Sequence, residues 1–254
     1  MISYSPKVLS ILIAAILAKI HSDIAVIKDP NAIQGLFAVG AEFDADTYYL
    51  PELLKTYQSA FKISITWLEA APGQQLKQLI QLNLRYQPTD HALILKAITE
   101  ALEFGPQYCL QGVSSAARKF AKRARSVQHE VHRMLGFVRF VPQGEHTLVT
   151  KPKLQHQTSD LILRSFQPRY PEHKLVLILD DYAISIFHHT LKKEASGPYL
   201  ACLEDNTTKE LWNRYYQSQY IETRSNITLA QQRIPLKYWD WMQEGEILKN
   251  HKAR

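Results

Sequence analysis

Arg118, Lys122, Arg125, His129 and Arg133 follow one another at spacings of four, three, four and four. On a helix that spacing makes a single row of side chains, roughly 5–6 Å from one to the next. Phosphates along a nucleic-acid strand repeat on a comparable scale, so such a row suits a polyanion. The other side of the same segment is apolar: Ala117, Phe120, Ala121, Ala124, Val127, Val131, Met134 and Leu135 form one stripe, which makes the segment an amphipathic helix starting at Ser114. Between Ser114 and Lys153 nine Lys or Arg stand against two acids, Glu130 and Glu145, a net +7, whereas residues 1–113 sum to −2 and residues 154–254 to +1. Charge concentrated in this way builds a local field that attracts nucleic acid or another polyanion. A charge run is also the ordinary solvated face of a helix, and it is the ordered spacing that favours binding.

Two other groupings invite a chemical reading. His129-Glu130-Val131-His132 contains two histidines and a carboxylate, but a zinc-protease helix needs its histidines four apart, and here they are three apart with no third ligand in view. Asp180-Asp181 and His188-His189 carry acid–base side chains. The Asp pair has the composition of a turn, and neighbouring residues of a strand point to opposite faces, so both histidines do not enter one site. There is no Gly-rich phosphate loop and no nucleophile elbow. Cys109 and Cys202 are far apart with no CxxC or CxxxC spacing, so neither a disulfide framework nor a zinc site can be read from them. Two thiols are also too few for an iron–sulfur cluster, and they suit a reducing compartment. The apolar stretch Val8–Ile20 is shorter than the roughly 20 residues a bilayer span needs and reads as a core helix. A cytoplasmic protein with no cofactor and no membrane partner is expected.

The elements that must position these residues are of mixed type. Leu50–Phe61, Gln74–Leu84 and Asp90–Phe104 repeat apolar residues at helical spacing. After the basic helix, Gly136 is expected to stop it, and Phe137–Val141 and Thr147–Lys151 read as a hairpin around the turn Val141–Gly144. Arg139 would then sit in a strand facing away from Val138 and Phe140, with Lys151 and Lys153 extending the basic surface. A helix over 158–166 follows, then a second hairpin from Leu175–Leu179 and Ala183–His188. Helices over 207–218 and from Pro235 close the chain. The expected fold class is α+β: a helical N-terminal region over 1–113, then a domain over 114–254 whose antiparallel sheet, hairpin–helix–hairpin, is packed by C-terminal helices. Near the end, Trp212, Tyr215, Tyr238 and Trp239 interleave with Arg224 and Asn226, a mixture that stacks bases and grips phosphates. Most of these aromatics are better suited to the core, and Arg224 and Asn226 are the stronger site candidates.

Glu130-Val131-His132-Arg133-Met134-Leu135-Gly136-Phe137-Val138-Arg139-Phe140 resembles the E-x-H-R-x-x-G-F-x-R-F signature of an uncharacterised bacterial family whose members carry the labels DNA repair or DNA metabolism protein. Leu211-Trp212, Tyr215-Tyr216, Ile221-Glu222-Thr223-Arg224-Ser225-Asn226, Gln231, Pro235, Tyr238-Trp239 and Glu244 match the same family in the same order. The resemblance covers roughly residues 80–245, and the family's Tyr-Asp-Gly opening is absent near Tyr4. It implies a DNA-associated role beside a radical S-adenosylmethionine protein, and a kinship with domains fused to uracil-DNA glycosylase-like domains. It also implies a shared polar site of Glu130, His132, Arg139, Arg169, Arg224, Asn226, Tyr238 and Trp239. Where the family has a histidine before the second hairpin this chain has Ser165, while Arg169 persists.

Together these readings lead to an expected accessory protein of DNA repair or modification. Arg118, Lys122, Arg125, Arg133, Arg139 and Lys151 would hold phosphates, with Glu130 and Arg133 bracing each other on the helix. The rivals are a DNA-acting enzyme that uses Glu130, His132 and Asp180, and a protein-interaction module with a basic face. Metal analysis of the purified protein tests the thiol and histidine arithmetic. Neither iron nor zinc is expected in stoichiometric amount, and one equivalent of either would favour the enzyme.

Overall fold

A computed structural model describes residues 1–28, 43–203, 210–211, 214–215, 218, 228–229, 234–242, 245 and 249. The chain divides into two units, Met1–Gln128 and His129–Arg254, the division falling inside the basic helix.

Unit 1 holds more than helices. Strands β1 (Ile2–Tyr4), β2 (Ala25–Ile27) and β3 (Phe43–Asp44) form a parallel sheet in the order β2-β1-β3. Helix α1 (Val8–His21) follows β1, and its residues from Ser10 to Leu17 are all buried, so the apolar stretch is a core helix as its length indicated. Lys28, just past β2, donates to Asp44 and Asp46 and ties the ends of two strands together. Helices α2 (Leu50–Phe61), α3 (Ala71–Arg85), α4 (His91–Phe104) and α5 (Pro106–Leu110) complete the layer. Asp90 caps α4 by accepting from the Leu93 amide at 3.0 Å, as its position predicts. Among the described residues no helix is long and apolar enough to cross a membrane.

Helix α6 (Ser115–Phe137) passes through Gly136 instead of stopping there. Strand β4 is only Val141–Pro142, so Arg139 belongs to the turn after the helix and not to a strand. In unit 2, β4, β5 (Thr147–Thr150), β6 (Lys174–Ile178), β7 (Ala183–Phe187) and β8 (Thr190–Glu194) form one sheet in chain order. It is antiparallel except between β5 and β6, which run parallel because α7 (Ser159–Phe166) crosses between them. One face packs Leu175, Leu177 and Ile186 against Met134, Val138, Ile162, Leu163 and Phe166. β8 is an addition to the two expected hairpins, and it moves His188 and His189 from a strand into the turn. The expected helix over 207–218 lies largely outside the described residues, and the chain after Pro235 makes a 3₁₀ turn, Leu236–Tyr238.

The other face of this sheet is half polar. Lys174 donates to Glu194 and to the Tyr199 hydroxyl, each at 2.8 Å, while Ser185 and Tyr199 also donate to Glu194. Burial alone would raise the Glu194 carboxyl, but the hydrogen bonds from Lys174, Ser185 and Tyr199 outweigh it and hold it at about 2. The Glu194 carboxylate accepts from all three neighbours at once, so the grouping ties together β6, β7, β8 and the short helix α8 (Gly197–Leu200) as a clasp. Because the folded carboxyl titrates below its ordinary value of 4.5, the clasp stabilises fully above that pH and its contribution fades as pH falls toward 2. Thermal unfolding across this range is expected to show a steeper acid decline for wild type than for Glu194→Gln. Parallel curves would show that the clasp contributes nothing.

Candidate nucleic-acid interface

Helix α6 takes the phase its sequence dictates. In unit 1 Ala117, Phe120, Ala124 and Val127 are buried while Arg118, Lys122 and Arg125 are exposed. The cations beside the row are engaged: Asp90 lies 3.5 Å from Lys119 and 3.4 Å from Arg123, and the Arg123 guanidinium stands 4.7 Å from the Tyr86 ring centre. Arg118 donates to the Val113 carbonyl at 2.9 Å. Among the described residues no ion pair engages Lys122 or Arg125, which leaves these two exposed side chains open to an anion.

In unit 2 His129, His132, Lys151 and Lys153 are exposed and Arg133 is half-buried. Glu130 is only 2% exposed. Its carboxylate accepts from the amides of Gln155 at 2.6 Å and His156 at 3.0 Å, and from the Thr158 hydroxyl at 2.9 Å. The expected brace from Glu130 to Arg133 is therefore replaced by a clamp on the loop ahead of α7. Burial pushes the His156 imidazole down, against the pull of the Glu130 charge beside it. Glu130 points inward and His132, two positions on, points to solvent, since two residues turn a helix by about 200°. Asp180 is exposed at the turn between β6 and β7. Among the described residues no three metal-ligating side chains come together.

Arg139 and Arg169, by contrast, line one cleft of about 580 Å³, with Phe140, Phe166, Tyr170 and Tyr215 among its walls. That volume lies within the range of small-ligand sites. Phe140 meets Phe166 edge-on at 5.1 Å and Tyr170 at 6.0 Å, and the Arg169 guanidinium is 5.4 Å from the Phe166 ring centre. Arg139 reaches back to the end of α6, donating to the carbonyls of Gly136 at 2.7 Å and Val138 at 3.1 Å. The bond to Gly136 satisfies a carbonyl that the end of α6 leaves open. The two bonds also fix the guanidinium at the cleft wall. Phe166 is buried behind this wall, so the ring surface open to a planar base is that of Phe140, Tyr170 and Tyr215, while guanidinium groups bind phosphate.

Glu130, His132, Tyr238 and Trp239 do not line this cleft. Tyr238 and Trp239 are each 2% exposed. Tyr238 packs against Phe137 and Trp241, and the Trp239 indole donates to the Ile234 carbonyl at 3.0 Å, so both belong to the core. Arg224, Asn226 and Trp212 lie outside the described residues. The ring box of Phe166 and Tyr170 was not anticipated from sequence, although Phe166-Gln167-Pro168-Arg169-Tyr170 carried its signal, aromatics placed around an arginine.

A family model described as a domain of unknown function, DUF4130, matches residues 88–244. No curated protein and no solved structure matches the chain.

Truncating Glu130→Ala strands two amides and a hydroxyl in the interior and is expected to destabilise by about 3 kcal/mol. His132→Ala, on the exposed side of the same turn, is expected to stay within about 0.5 kcal/mol. Urea unfolding of the two variants measures this, and equal stabilities would remove the clamp from the account.

Proposed function

The chain belongs to the DUF4130 family, and we propose that this member is a nucleic-acid-binding protein of DNA repair or DNA modification. The observation that carries the proposal is the cleft in which Arg139 and Arg169 stand among aromatic rings. Exposed Lys122 and Arg125 supply sequence-independent phosphate contacts, as do Lys151 and Lys153. The cleft supplies selectivity for an unpaired nucleotide, its rings taking the base and its guanidiniums the phosphate. The proposed association with a radical S-adenosylmethionine enzyme rests on the motif resemblance, and it assigns the chemistry to that partner and the grip on DNA to this chain.

Titration of labelled single-stranded and duplex DNA over a range of salt concentrations tests the proposal. Affinity is expected to fall steeply, with a slope near −0.7 per phosphate contact on single strands and about −0.9 on duplex. The double variant Lys122→Glu/Arg125→Glu should weaken both forms and flatten the slope. Arg169→Ala should weaken single strands more than duplex. Absence of binding at low salt, or binding indifferent to salt, overturns the reading.

A further inference from the structure

Phe187 pairs with Thr190, so the β7–β8 hairpin closes with only two residues, His188 and His189. Both have positive φ, 42° and 63°, the pattern of the turn that best suits the twist of paired strands and that Asn-Gly fills without strain. Side chains larger than hydrogen crowd the neighbouring carbonyl in this region, although histidine enters it more often than most residues. The chain therefore keeps two imidazoles where an unstrained pair exists. Strain held in place by its surroundings is a recurring mark of functional segments.

The tip presents rings to solvent. Phe187 is 42% exposed, both histidines are exposed, and the Phe187 and His188 rings lie 3.9 Å apart. It is also anchored, because the His189 amide donates to the side-chain oxygen of Gln167 at 3.2 Å, and Gln167 is itself 4% exposed. Gln167 opens the 3₁₀ turn Gln167–Arg169 that places Arg169 in the cleft. One short turn thus holds the hairpin tip at one end and a cleft arginine at the other. From Ala183 to Lys193 there is no acidic residue, and Lys192 and Lys193 follow the tip.

We propose that Phe187, His188 and His189 form a wedge that stacks on nucleic-acid bases where the duplex is interrupted, at a gap, a strand end or an extruded nucleotide. Planar rings stack on any base without regard to sequence, and side-chain wedges open base steps in this way. Two of the three rings are imidazoles, which also hydrogen-bond to base edges and backbone, a poor composition for a lipid anchor and a good one for a nucleic-acid probe. The wedge opens the stack, and the cleft lined by Arg169, two residues from the Gln167 anchor, receives the displaced nucleotide. This inference rests on the nucleic-acid reading above and assigns it a substrate class, interrupted duplex.

Three proteins separate the two ideas: wild type, Phe187→Ala, and the double variant His188→Asn/His189→Gly, which keeps the turn while removing its rings and its strain. The probes are an intact duplex and the same duplex with a one-nucleotide gap flanked by 2-aminopurine, whose fluorescence reports stacking, together with anionic phospholipid vesicles. Wild type is expected to prefer the gapped duplex and to change the fluorescence. Both variants should lose that response and bind the gap about tenfold more weakly, as the loss of one stacked base implies, with intact-duplex affinity unchanged. The Asn-Gly variant should melt higher than wild type, which shows that the loss is not unfolding. Variants that keep the gap preference and the fluorescence response overturn the wedge and leave the proposed function standing. A wild type that binds no DNA overturns both. Vesicle binding lost in the variants, without any gap preference in wild type, overturns the wedge in favour of a lipid contact.

Discussion

The Glu130 carboxylate is the constraint on which the cleft side of unit 2 depends. A charge taken out of water is tolerated only where donors replace the lost hydration, and three donors from a four-residue stretch of loop do so here. The loop that follows β5 cannot drift without exposing the charge, so it passes α6 on a fixed path and starts α7 at Ser159. α7 then runs directly into the 3₁₀ turn that carries Arg169. The position of a cleft arginine is in this sense set by a carboxylate that the cleft never meets. Lys237 adds a second tie by donating to the side chain of Gln155 in the same loop.

Cations in this chain do two kinds of work, and their surroundings decide which. Arg139, Arg123 and Lys174 are held by carbonyls, a carboxylate or a clasp. Each completes an element the backbone alone would leave unfinished. Lys122, Arg125 and Lys151 stand in solvent, where a lone ammonium or guanidinium adds little to stability but adds fully to the field an approaching phosphate feels. Arg139 belongs to both groups, because closing the end of α6 is also what holds its guanidinium at the cleft wall.

How much of this was legible in sequence follows from how far each signal reaches along the chain. Periodicity over many residues fixed the phase of α4 and α6, and Arg118, Lys122, Arg125 and His129 on α6 are exposed where their spacing put them. β1, β2 and β3 are three, three and two residues long, too short for alternation to show, and their parallel pairing joins segments far apart in sequence. β8 reads Thr190-Leu191-Lys192-Lys193-Glu194, and an edge strand guarded by charge looks like a loop until its partner is known. Gly136 was a sound helix breaker by composition. Its carbonyl, however, is captured by Arg139 three residues later, so the last turn closes around the glycine. Arg139 could be singled out as a charge in apolar company, and Arg169 only through the motif resemblance. That they share a cleft depends on α7 crossing the sheet, and that Tyr238 and Trp239 are core depends on packing which no local pattern encodes.

The two histidines of the β7–β8 turn show how local and global demands part company. Locally the turn calls for Asn-Gly, and a chain selected for stability alone would carry it. Globally the turn is pinned by Gln167, which the core surrounds, so the backbone conformation is imposed from below and the side chains above it are free to be chosen for another purpose. The same arrangement recurs at Arg139, where the helix end dictates the backbone and the guanidinium serves the cleft. In both places the scaffold bears the strain or the desolvation, and what it presents outward is an aromatic or cationic group at a position a relaxed loop would not hold.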